Sequence, residues 1–320
     1  MKRRTVLKAM LGTAMLGAGA SWMAQRKLKS FVAADLAFGT TVSITVLHEH
    51  VETAHKALQA ALSSLHGVDH LMSLHREDSQ VSQLNRYGEL AHPDARLLQV
   101  LQAAQAMSKL SGGAFDVTVQ PLWQAANGEG RVQEALHHVD WRKLEVSAER
   151  IRLLDPDMSI TLNGIAQGYA ADLALARLRQ HGINHALLDT GEFASLGARD
   201  DGQPWTLAVR DPRHEDQYSY VLAADGRCMA TSGDYATRFS DDFLHHHIFD
   251  PATGDSPTEL ASVTVLAPTG MQADALSTAA MVLGAKKSIA LAQQMPQIDL
   301  LCIAKSGASY RTAGFPSGLV

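Results

Sequence analysis

The chain has 320 residues, 46% of them hydrophobic and 6% aromatic, with 28 Lys and Arg against 33 Asp and Glu for a formal net charge of −5. That composition excludes a disordered tail, which would hold fewer apolar residues, and a polytopic membrane protein. With no basic run beyond the N-terminus, nucleic acid is excluded as a partner, because binding it needs a clustered positive face.

Residues 1–30 read as an address. Met1-Lys2-Arg3-Arg4-Thr5-Val6-Leu7-Lys8 is basic, and Ala9 to Met23 follows almost uncharged, the pattern of a bacterial export signal. Arg3-Arg4 followed by Val6-Leu7-Lys8 resembles the twin-arginine motif, which predicts a periplasmic location. Ala18-Gly19-Ala20 and Ala33-Ala34 are the alternative cleavage sites, and no integral membrane segment is expected in the mature chain.

The mature chain, 31–320, reads as one domain. Thr40 to Val46 alternates as a half-buried strand does. Val51, Ala54, Leu58, Ala61, Leu65, Val68 and Met72 recur at helical spacing, predicting a long amphipathic helix. Pro93-Asp94 starts a second helix that Gly112-Gly113 ends, and a third runs from about Ala166 to His181, closed by Gly182. Strands are expected at Ala186–Leu188, Trp205–Val209, Tyr218–Leu222, Val263–Leu266 and Leu300–Ile303, with a helix over Ala273–Leu283. Helices and strands mix without a regular βαβ repeat. The fold class is therefore α+β, with mixed or antiparallel sheets covered by helices. Cys228 and Cys302 allow one disulfide or two buried thiols, and their spacing suits no metal.

Five segments are richer in Gly, Asp, Thr and His than packing requires. Ser111 to Thr118 carries paired glycines beside Asp116; it reads as a ligand approach or as a helix end. Thr161 to Tyr169 is a Gly-containing turn feeding a helix, suited to phosphate or simply capped at Asn163. Ala230 to Tyr235, with Ser232 and Gly233, fits a nucleotide contact or a polar turn. In His245-His246-His247 adjacent side chains on a strand diverge, so one functional His is more plausible than a His-only metal site. Asp274 and Thr278 stand at i and i+4 near a helix start, where both could reach one hard cation; alternatively Asp274 is a first-turn residue favouring the dipole.

In this order the segments resemble the ApbE family of FAD-dependent FMN transferases. Met72-Ser73 with Asp78-Ser79, GGAFDVT with Pro121-Leu122, NGIAQGYAAD, ATSGDY, HHIFDPATG and ADALSTA carry the likeness. The resemblance implies bound FAD, Mg²⁺, and transfer of FMN onto a Thr or Ser hydroxyl of a partner protein, with AMP leaving. It places Phe38, His75, Ala114, Phe115, Asp116, Thr161, Gln167, Ser232, Gly233 and His247 at flavin-nucleotide contacts, and Gly164, Asp274 and Thr278 at the metal. Phe38, His75, Thr161 and Gln167 depart from the residues common in the family. The Thr161 to Tyr169 segment with Asp189-Thr190-Gly191-Glu192 resembles the NosX-like branch, implying a membrane-anchored electron-transfer acceptor in nitrous-oxide reduction.

The chemistry explains these residue types. A cation offsets the diphosphate charge, and a neutral His can take the acceptor's proton. His247 is expected as the base, with Asp116 or Asp250 as orienting carboxylates. Ser306-Gly307-Ala308-Ser309 reads as a late turn between strands, not an FMN acceptor. Competing readings are an FAD diphosphatase, a non-catalytic periplasmic FAD-binding assembly factor, and a metallochaperone using the His run.

Overall fold

A computed structural model describes residues 28–214 and 216–318; most of the export segment lies outside them. The chain opens with a hairpin, β1 (Lys29–Ala37) and β2 (Thr40–His48), turned at Phe38 and Gly39, both with positive φ. Helix α1 (Val51–Met72) follows with the predicted stripe buried from Ala54 onward and Val51 exposed, then α2 (Gln80–Tyr87), β3 (Glu89–Ala91) and α3 (Ala95–Leu110). Asp94 caps α3 by accepting the Arg96 N–H at 2.8 Å. Short helices α4 (Gln120–Ala126) and α5 (Val132–Ala135) lead to β4 (Leu144–Val146) and β5 (Arg150–Leu153), which with β3 form a small sheet.

The second half supplies α6 (Ala166–Gln180), β6 (His185–Asp189), β7 (Phe193–Leu196), β8 (Thr206–Arg210), β9 (Tyr218–Ala223) and β10 (Cys228–Gly233). Then come β11 (Leu260–Ala267), α7 (Gly270–Ala292), β12 (Asp299–Ala304) and β13 (Ser309–Arg311). An antiparallel sheet of order β1-β2-β6-β7-β10-β11-β12-β13 spans the molecule, and β8-β9 is a separate ribbon. The α+β class is as expected. Ser306 to Ala308 lies in the β12–β13 turn, also as expected.

Both faces of the large sheet are covered at its centre. Helix α1 packs on α6, α6 on α7, and α7 lies across β10 and β11, with the main core between. On the other face Leu207, Val209 and Leu222 of the ribbon pack against Met229, Leu266 and Leu301. Strand β11 is accordingly buried at every residue, as a strand covered on both sides must be. Helix α7 is long and apolar enough to cross a membrane by length and composition. Its buried residues belong to this core. Cys228 and Cys302 are free, buried thiols on β10 and β12, with β11 between them.

Two helix starts are locked to each other. The Asp172 carboxylate on α6 accepts the Gly270 and Met271 N–H groups at 2.6 and 2.9 Å, capping α7. Asp274 on α7 accepts the Gly168 N–H at 3.0 Å, capping α6. The crossing is backbone on backbone: a Cβ on Gly168 would lie 2.1 Å from the Gly270 carbonyl oxygen. Asp274 is therefore in the second turn of a helix that starts at Gly270, not at the helix start as the sequence suggested. Nor does Asn163 cap α6: the N-cap is Ile165, without a side-chain bond, and Asn163 is exposed.

Gly168→Ala should cost about 3 kcal/mol or more, since a rigid backbone oxygen occupies the methyl's place. Asp172→Ala should cost about 1–2 kcal/mol through loss of the α7 cap. Urea-unfolding midpoints test both, and an unchanged midpoint for Gly168→Ala would rule out the crossing.

Candidate active site

The crossing gathers the three predicted metal residues, with Gln167, Ser232 and Gly233 of the predicted nucleotide set. Gly164, in the turn before α6, abuts Thr278, whose hydroxyl oxygen lies 2.8 Å from where a Gly164 Cβ would stand. Ser232, at the end of β10, shares hydrogen bonds with the Ser277 hydroxyl at 2.7 Å and the Thr278 hydroxyl at 3.3 Å. Gly164, Ser232 and the Asp274–Thr278 turn of α7 thus come from three distant stretches to one cleft. Gly233 follows Ser232, packed against the Tyr235 ring.

Gln167 reaches from the first turn of α6 to the Thr190 carbonyl at 3.1 Å, and so clasps the β6–β7 turn. That turn holds Glu192, which the sequence reading quoted but did not place in the site. Glu192 is 8% exposed, and its Oε2 has no hydrogen-bond partner. Burial raises its carboxyl well above the usual range; the Asp274 charge adds to this, and the Thr231 backbone N–H opposes it. Burial likewise pushes the Asp274 carboxyl up, against the Gly168 N–H that stabilises its charge. No local sequence pattern distinguishes Glu192, because its significance lies in burial by distant strands.

Two carboxylates and two hydroxyl oxygens are donors of the hard kind that a Mg²⁺ ion takes, and Glu192 Oε2, buried without a partner, is free to be one of them. Among the described residues the tight trio of His138, Asp155 and Asp157 is a different group, and there Lys143 sits 3.3 Å from Asp155 and already neutralises it.

The flavin-facing residues divide. The Thr161 N–H bonds the Val117 carbonyl at 2.8 Å, which ties the 111–118 loop to the turn holding Gly164. In that loop Ala114 is half-buried and Phe115 buried, the Phe115 N–H donating to Ser111 Oγ at 3.0 Å. Phe38 and His75 instead meet the C-terminal end of α1: the Phe38 N–H donates to Asp69 at 3.2 Å and the His75 N–H to Ser73 Oγ at 3.1 Å. His75 is exposed there.

His247 hangs from the loop after β10. Its Nδ1 lies 3.1 Å from the Thr237 carbonyl oxygen. A carbonyl only accepts, so Nδ1 carries the proton and Nε2 is left as a base. Burial holds its pKa below the usual value, with the Thr237 contact and the charge of Asp234 opposing. The orienting group is thus the Thr237 carbonyl rather than Asp116 or Asp250. Asp116 is spent on Thr118 and the Trp141 N–H, at 2.6 and 3.0 Å. Asp250 accepts the Ala252 N–H at 2.9 Å and closes its own turn. The His run does not converge. His245 pairs with Asp255 at 2.8 Å, while buried His246 faces the Pro257 carbonyl and is held neutral, its pKa lowered to about 4 by burial.

Beside His247, buried Asp234 takes both Arg213 guanidinium nitrogens at 2.8 Å, with Lys305 at 3.6 Å. Arg213 and Arg238 lie over the Phe243 ring, 4.2 and 4.8 Å from its centroid. Two cations on one buried carboxylate, with Arg238 stacked alongside, leave this wall positive, suited to an anionic ligand.

A family model described as the ApbE family matches residues 38–302. The chain is 30% identical to the FAD:protein FMN transferase of Treponema pallidum, over 87% of this chain and 85% of that protein. It is also 30% identical to the protein of the same name from Haemophilus influenzae, over 84% and 85%. The fold is similar to that of the ApbE protein from Thermotoga maritima, with a TM-score of 0.81 and 28% identity over 89% of this chain and 97% of that one. The flavin transferase ApbE from Vibrio cholerae matches with a TM-score of 0.78 and 26% identity, over 90% and 98%. A match running from the β1–β2 turn to β12, with the fold reproduced, means that this chain belongs to the ApbE family.

Proposed function

We propose that the chain transfers FMN from FAD to a Thr or Ser hydroxyl of a partner protein and releases AMP, with Mg²⁺ held beside Asp274. The observation that carries this reading is that buried Asp274, on the Gly168 N–H, and Thr278, on the Ser232 hydroxyl and against Gly164, come together where α6 crosses α7. Mg²⁺ held there supplies positive charge to the diphosphate and to the departing AMP.

The chain's own residues do the rest. Nε2 of His247 takes the acceptor's hydroxyl proton as that oxygen bonds to the FMN phosphorus and the P–O bond to AMP breaks. The Thr237 carbonyl holds the ring in the required tautomer. Burial keeps it neutral near pH 7, ready to accept. Gln167 and the Thr161–Val117 bond fix the walls of the cleft. AMP is already a good leaving group, so the geometry needs no strong acid opposite His247.

Twin-arginine export and a periplasmic site remain part of this reading, supported by Arg3-Arg4 and the apolar run to Met23. The proposed acceptor is a membrane-anchored electron-transfer subunit of nitrous-oxide reduction, supported by the Asp189 to Glu192 segment.

Incubating the protein with FAD, Mg²⁺ and the acceptor domain should add one FMN mass to the acceptor and release equimolar AMP. FMN and AMP with an unmodified acceptor would make it a diphosphatase; neither product would leave an FAD carrier. His247→Ala should lower kcat about 10²–10⁴-fold while FAD still binds, and a smaller loss removes the base assignment. A base must be unprotonated to act, so with a pKa lowered from the usual 6.5 the rate should fall as pH drops, with the midpoint of that acidic limb below 6.5. An acidic limb centred above 6.5 contradicts the assignment.

A further inference from the structure

We infer that Glu192 is the second anionic donor of the divalent-cation site, facing Asp274 across the first turn of α6. The inference rests on the Mg²⁺ reading above and extends it to a residue that the sequence motif for the metal does not contain.

Two routes place Glu192 there. From β6–β7, the Thr190 N–H and hydroxyl both donate to the Glu192 backbone carbonyl, at 3.0 and 3.1 Å, and fold the turn tightly. Gln167 holds that turn through the Thr190 carbonyl, and a Cβ on Gly191 would lie 2.7 Å from Gln167 Nε2. The next residue of α6, Gly168, donates to Asp274. From the sheet, β7 pairs with β10, and the Thr231 backbone bonds the Glu192 carboxyl. The residue after Thr231 is Ser232, on the Ser277 and Thr278 hydroxyls. Both paths end at the same cleft.

The side chain has no structural employment that explains its charge. Nothing donates to Oε2, and no Lys or Arg pairs with it among the described residues. Buried ionisable groups are ordinarily paired or bound to metal, because an isolated buried charge is strongly unfavourable. Helix caps account for Asp172 and for one oxygen of Asp274; nothing comparable accounts for Glu192.

The test uses Mn²⁺ as the probe, with full-length protein and no FAD. Metal binding is measured by calorimetry, and melting is followed with and without the ion. Glu192→Gln keeps the shape and removes the charge. It should weaken Mn²⁺ binding about 10–100-fold, the range for losing a group that supports a metal. It should also raise the metal-free Tm while losing the gain in Tm that Mn²⁺ gives the parent protein. A merely structural Glu192 would not produce those opposite shifts. Asp274→Asn marks the site and Asp189→Asn is the control for a nearby half-buried carboxylate. Should Asp274→Asn weaken Mn²⁺ binding and Glu192→Gln not, Glu192 is no donor, though the cation site stands. If the parent binds no Mn²⁺, or Asp274→Asn leaves binding unchanged, the cation reading falls and takes this inference with it.

Discussion

The reciprocal capping of α6 and α7 is the constraint on which the rest of the structure depends. Each helix offers a carboxylate to the other's first turn, Asp172 to Gly270 and Met271, and Asp274 to Gly168. Free N–H groups at a helix start must find acceptors, and here the Gly168, Gly270 and Met271 N–H groups find them across an interface, in addition to the local Thr269 cap on the Gln272 N–H. The exchange requires the backbones to touch, which is why Gly168 and Gly270 face each other at the crossing. A glycine pair sets the distance, and two aspartates set the angle and register.

From that lock the cleft follows. The Gly164 turn is brought against Thr278, and β10 slides its end onto the same face of α7 through Ser232. The sheet then adds the β6–β7 turn with Glu192, and the loop after β10 adds His247. In the proposed function one of the aspartates that closes the fold also holds the cation. On that reading Asp274 has two tasks, so its replacement will report on stability as well as on turnover.

Local periodicity made much of this legible in the sequence. The stripe from Val51 to Met72 gave α1 its full length, and Asp94 and Gly182 marked helix ends where they are found. Strand β1 escaped because Lys29 to Ala37 alternates weakly and adjoins the export segment. Strand β10 escaped because Ala230 to Gly233 are small and polar enough for a turn; it forms by pairing with β11. The α7 helix was read as ending at Leu283, and Gly284 does break it with φ 75°. The helix resumes because Glu259, far off in sequence, accepts the Ala285 N–H at 3.1 Å. Within the site, the i, i+4 pair of Asp274 and Thr278 was readable, whereas Glu192 was not. Asp116 and Asp250 looked catalytic because they lie in Gly-rich segments, but their oxygens are occupied in holding those turns.

The two thiols carry a consequence for how the chain is made. Adjacent strands lie about 4.8 Å apart, so Cys228 and Cys302, with β11 between, are beyond the roughly 7 Å Cα limit for a bridge. Burial pushes both up to about 12, so neither offers the thiolate that exchange chemistry requires. Maturation thus needs no oxidant and no isomerase, and the same fold is reached on either side of a redox boundary.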